Sequence, residues 1–91
     1  MLKENDKIGQ HKNAIGRVIE NNAFIVLPEK NVLCKVDEVG TFIWQQLNNP
    51  KTMEELKKTL CEDFAVDEKT AHSDLVDFIE LLLDKEILEK W

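Results

Sequence analysis

Residues 32–44, VLCKVDEVGTFIW, change period part-way along. Up to Val36 the side chains alternate, so Val32, Cys34 and Val36 share one face of an extended chain and Leu33 and Lys35 share the other. From Asp37 the spacing becomes helical: Val39, Phe42, Ile43 and Leu47 fall on one face, and the Asp37 carboxylate is placed to cap the first turn. A strand therefore runs straight into a helix, with Val36 pointing at the core. Gly40 stands inside that first turn, where glycine costs up to about 1 kcal/mol relative to alanine, so a close approach by another part of the chain is expected there.

Toward the N-terminus, AFIVL (23–27) and AIGRVIE (14–20) are rich in β-branched residues and flank Asn21-Asn22, a pair compatible with a tight hairpin. Pro28 and Asn31 mark a second turn before the strand at 32–36. Three short antiparallel strands are expected. The preceding thirteen residues, MLKENDKIGQHKN, are polar and aperiodic, which predicts a flexible arm over 1–13 and one domain over 14–91.

Toward the C-terminus, NNPKT ends the first helix, and Thr52 with Glu55 has the spacing of a capping box opening a second. Met53, Leu56, Leu60 and Phe64 form its apolar stripe. Asp67 can cap a third helix, in which Ala71, Leu75, Phe78, Ile79, Leu82 and Leu83 run at helical spacing to about Glu86. The order predicts an α+β fold, winged-helix-like, with a three-stranded antiparallel sheet followed by three helices.

Bulk properties narrow the function. A chain of 91 residues, 43% hydrophobic and 33% charged, suits one soluble globular module. Its net charge of −6 is uneven: residues 1–36 carry six Lys/Arg against four acids, and residues 37–91 carry six against fourteen. That argues against phosphate-driven nucleic-acid binding and leaves the front of the chain as the place for an anionic or acidic peptide group. The third helix opens with DEKTAHSD, whereas a DNA-reading helix needs basic and amide side chains at that end.

Cys34 and Cys61 are 27 positions apart without a metal-ligand pattern, which predicts reduced thiols, no metal and a cytoplasmic location. The longest apolar run, Leu81-Leu82-Leu83, is far short of the roughly 20 residues that span a bilayer, so no membrane partner is expected. His11 falls in the arm, and His72, Ser73 and Asp74 are neighbours that point to different sides of a helix, so no catalytic set converges and no cofactor is expected. A GxGxxG or GKS/T nucleotide loop is absent.

In order along the chain, Val36-Asp37-Glu38-Val39-Gly40 with Ile43-Trp44, then Thr52, Glu55 and Leu56, then Val66-Asp67, then Phe78 with Leu82, resemble the motifs of the PqqD family, whose fold is also called the RiPP recognition element. The resemblance covers roughly residues 24–88. It departs from the family pattern at Asp37, where Asn is usual, and at KEIL (85–88), which lacks the glycine often found before the closing leucines. It implies a non-enzymatic protein that holds the leader segment of a ribosomally made precursor peptide and presents it to a modifying enzyme, often a radical SAM protein. It further implies that the leader adds as a strand to the third strand, Val32, Leu33, Cys34, Lys35 and Val36. Its apolar side chains would lie toward the third helix, where Ala71, Leu75 and Ile79 form a stripe flanked by His72 and Val76. Lys35 is then the natural partner of an acidic leader residue. Two other classes stand beside this one: a winged-helix DNA-binding regulator, and an accessory subunit of an enzyme.

Overall fold

The computed structural model describes residues 2–91. Its elements in chain order are β1 (Lys7–Gln10), β2 (Ile15–Ile19), β3 (Asn22–Leu27), a 3-10 turn (Pro28–Lys30), β4 (Val32–Val36), α1 (Glu38–Gln46), β5 (Lys51–Thr52), α2 (Met53–Phe64), α3 (Glu68–Asp84) and β6 (Leu88–Lys90). The expected three strands form one antiparallel sheet in the order β2-β3-β4, and the three helices follow.

The flexible arm expected over 1–13 is corrected. Met1 lies outside the described residues, but Lys7–Gln10 is the central strand of a second small sheet, β5-β1-β6. Ile8 is completely buried, and the carbonyls of Asp6 and Glu4 accept from the amides of Met53 and Glu54 in the first turn of α2. The segment thus satisfies helix donors that would otherwise be orphaned. Its order comes from distant partners: Thr52 and Lys51 on one side, Leu88 to Lys90 on the other.

Local signals set the helix starts. Asp37 Oδ1 accepts from the Gly40 amide at 2.8 Å, Thr52 and Glu55 form the reciprocal capping box, and Asp67 Oδ1 accepts from Thr70 at 2.7 Å. The hairpin turn sits one residue earlier than expected. Glu20 and Asn21, at φ 52° and 69°, form the two-residue loop, and Asn22 already belongs to β3. Two consecutive left-handed residues give the turn whose twist matches the flanking strands. α3 stops at Asp84, short of the expected Glu86, and Glu86 takes φ 63°, the conformation that glycine adopts most readily.

The core lies between the inner face of the main sheet and the helices. Ala23, Ile25, Leu27, Cys34 and Val36 meet Ile43, Trp44 and Leu47 of the first helix, Met53, Leu56 and Leu60 of the second, and Ala71, Leu75, Ile79 and Leu82 of the third. Ile87 and Leu88 close it from the second sheet's side.

Candidate functional site

The β2–β3 hairpin fixes which backbone groups the main sheet leaves free. A two-residue loop is closed by a hydrogen-bonded pair, here Ile19 with Asn22, and hydrogen-bonded pairs then recur at every second residue. On β3, Asn22, Phe24 and Val26 therefore bond toward β2, while Ala23, Ile25 and Leu27 turn toward β4. The Ala23 amide agrees: it donates at 2.7 Å to Thr41 Oγ1, beyond the end of β4. Across the β3–β4 ladder Ile25 faces Cys34 and Leu27 faces Val32, so these are the bonded pairs. The backbone groups of Leu33 and Lys35 point the other way, off the open edge. No strand of the sheet lies beyond β4 among the described residues.

The side chains of this edge divide as the alternation predicts. Cys34 and Val36 are buried, and Val32 is half-buried. Leu33 is 68% exposed, and Lys35 projects from the same face with its ammonium 5.7 Å from the centre of the Phe24 ring. Burial pushes the Cys34 thiol above its ordinary pKa, and the nearby positive charge of Lys85 opposes that rise.

A cavity opens beyond the Val36 end of β4, between α1 and α3. Gly40 makes it possible: a methyl group there would lie 2.7 Å from Phe78 Cε1 and 3.0 Å from Val36 Cβ, so the α1 backbone and the Phe78 ring pack closely only without it. Around that contact Asp37, Val39, Gly40, Ile43, Asp74, Asp77 and Phe78 line the cavity, of about 320 Å³. Phe78, Leu81 and Lys85 follow one another at spacings of three and four, so one flank of α3 carries them all. Phe78 and Lys85 are half-buried and Leu81 is 51% exposed. Aspartates thus stand near the Val36 end of β4, and the positive charge of Lys85 lies near Cys34.

This changes the helix side of the expected site. Ala71, Leu75 and Ile79 are wholly buried and belong to the core, so they present no open surface to a peptide. His72 is on the opposite flank of α3, in a cavity with Glu4, Lys57, Glu68 and Lys69, and Val76, one turn further on, shares that flank. The structure thus places Phe78 beside Gly40 and Val36, and Lys85 near Cys34, while Asp74 and Asp77 line the cavity with Phe78; the sequence had singled out none of these α3 residues for the site. The close approach expected at Gly40 is found there, and Phe78 is one of its partners.

A further cavity, about 410 Å³, lies between Glu4, α2 and the start of α3. Lys57 spans it, with its ammonium 3.0 Å from Glu4 and 3.3 Å from Glu68. Those hydrogen bonds raise the Lys57 pKa, and the same contact lowers that of Glu4. The groups are mutually satisfied and tie the N-terminal segment to two helices. His11 is equally structural: its amide donates to the Ile87 carbonyl at 2.9 Å, and its Nδ1 accepts from the Asn13 amide at 3.0 Å. Among the described residues no group of three His, Cys, Asp or Glu could hold a metal ion, and no helix is long and apolar enough to cross a membrane.

The sequence profile of Coenzyme PQQ synthesis protein D (PqqD) matches residues 23–88. Among solved structures, TbiB1 in complex with the TbiA(beta) leader peptide is 28% identical, with a TM-score of 0.81 over 89% of this chain and 94% of that one. The PqqD truncation of Methylobacterium extorquens PqqCD, described as a functional and stand-alone RiPP recognition element, also gives a TM-score of 0.81, over 98% of this chain and 95% of that one. At 16% identity that second likeness speaks to the fold alone. No curated protein matches the chain.

Proposed function

The chain belongs to the PqqD family, and from that premise we propose that it binds the leader segment of a ribosomally made precursor peptide on the free edge of β4 and presents it to a modifying enzyme, such as a radical SAM protein. The observation that carries this reading is the edge itself. Leu33 and Lys35 turn their backbone groups off the sheet, and the α3 flank that carries Phe78 and Lys85 comes near the same strand at Val36 and Cys34; strand addition needs such a row of main-chain partners with side-chain pockets next to it. The likeness to TbiB1, solved with a leader peptide, supports a leader peptide as the ligand.

The proposed role is non-enzymatic and cytoplasmic. The thiol beside the edge, Cys34, is pushed toward its protonated form by burial, which makes it a poor nucleophile. The winged-helix-like reading of the fold raises the DNA-binding alternative, but α3 opens with Glu68 and carries Asp74, Asp77 and Glu80 against a single Lys69 and His72, which would repel a phosphate backbone.

Calorimetry against the leader peptide of the precursor encoded beside this chain tests the proposal, combined with amide exchange. Binding should slow exchange at Leu33 and Lys35, whose amides are otherwise open to water, and leave α2 little changed. Protection that rises equally throughout would mean general stabilisation by a ligand bound elsewhere. Absence of binding at micromolar concentrations would remove the proposal.

A further inference from the structure

The main sheet has an outer face as well as an edge. Register places Ile15, Val26 and Leu33 in one cross-strand row and Arg17, Phe24 and Lys35 in the next, with Ile19 beyond. All of these side chains point away from the core. Ile15 is 58% exposed, Ile19 56%, Val26 36% and Leu33 68%, so four large apolar side chains on one sheet face stand in water. A contiguous exposed apolar face of this kind marks a contact surface.

Its charge is distinctive. The strands IGRVI, NAFIVL and VLCKV contain no acid, so Arg17 and Lys35 are the charged groups of a face that belongs to a chain of net charge −6. We propose that this face docks the modifying enzyme, through a surface of that enzyme that is apolar at its centre and carries Asp or Glu opposite Arg17 and Lys35. This rests on the leader-binding reading given above. A second copy of this chain fits less well, because two such faces packed together would bring only cations to a shared apolar interface. Position adds to the argument: a leader added to β4 would extend the Leu33 and Lys35 rows, so an enzyme on the face would meet the leader at the sheet's edge.

The test uses the full chain, the purified modifying enzyme encoded beside it, and substitutions on β2, the strand farthest from the leader edge. Arg17→Glu and the double variant Ile15→Ser with Ile19→Ser change exposed side chains, and circular dichroism checks that both remain folded. Each should weaken enzyme binding about tenfold or more in biolayer interferometry. Leader affinity measured by calorimetry should stay within about twofold of the wild type, and Arg17→Lys should retain most of the enzyme affinity. Enzyme affinity unchanged in both variants, or a wild-type chain that does not bind the enzyme, would overturn the inference. A wild-type dimer in sedimentation that the Ile15/Ile19 variant abolishes would also overturn it, by assigning the face to a second copy. Loss of leader binding alone, with face-dependent enzyme binding intact, would count against the leader reading and leave the docking face standing.

Discussion

Lys35→Pro isolates the backbone contribution of the β4 edge. In the antiparallel ladder Cys34 is bonded to Ile25, so the next amide, that of Lys35, points away from β3. Proline at that position deletes a donor that the folded chain does not use, a placement edge strands tolerate. Its partner control is Lys35→Ala, which removes the ammonium near Phe24 but keeps the amide. If the leader adds at this edge, the missing donor leaves one leader carbonyl unsatisfied, at a cost of about 1–3 kcal/mol. At about 1.4 kcal/mol per decade, that is roughly five- to 150-fold weaker binding than Lys35→Ala in calorimetry. Urea unfolding should place the two variants within about 1 kcal/mol of each other, while Cys34→Pro, which breaks a ladder bond, should cost about 3 kcal/mol or more. Two results would refute the reasoning. Equal leader affinity for folded Lys35→Pro and Lys35→Ala means that this edge does not receive the leader, and a Lys35→Pro as unstable as Cys34→Pro means that the Lys35 amide is bonded within the sheet.

Leu75→Ala should act on stability, because Leu75 is wholly buried; a loss of about 2–5 kcal/mol in urea unfolding is expected, and a stable variant with weakened leader binding would return this residue to the binding site. Glu86→Gly should stabilise by about 0.5–1 kcal/mol in the same assay, since Glu86 sits at φ 63° and its ion pair with Lys30 is exposed on both sides. Stability should also fall in acid. The Glu55 and Asp67 carboxyls are held below their ordinary values of 4.5 and 3.8 chiefly by the backbone amides of Thr52 and Thr70, and Glu4 is held below 4.5 by Lys57. Because the folded pKa values are depressed, the stabilisation is present above the unfolded values and is lost as pH falls through the folded ones. A urea midpoint at about pH 3 equal to that at about pH 7 would contradict this.

What the sequence made legible was whatever its local chemistry specifies. The caps at Asp37, Thr52 and Asp67 each need only a side chain and amides within three residues, and all three helices begin where those signals stand. Strands β2 to β4 carry enough β-branched residues between turns to be found without their partners. β1, β5 and β6 do not: KIGQ has four residues, and its neighbours Lys51–Thr52 and Leu88–Lys90 have two and three. Such short segments have no usable period of their own. They become strands because the folded helices bring them together around Ile8, information that only the tertiary arrangement holds.

The candidate site divides along the same line. The β4 half was legible because alternation alone separates Leu33 and Lys35 from Cys34 and Val36. On α3, choosing the most apolar stripe led to Ala71, Leu75 and Ile79, yet the most apolar stripe of a helix in a small domain is the one the core needs. A helix flank that stays partly in water has a mixed composition, as Phe78, Leu81 and Lys85 do. Hydrophobicity ranks such a flank below the core stripe and cannot choose between the two flanks beside it. The folded chain does choose: a methyl group at Gly40 would meet both Phe78 Cε1 and Val36 Cβ, a juxtaposition that the tertiary arrangement alone creates.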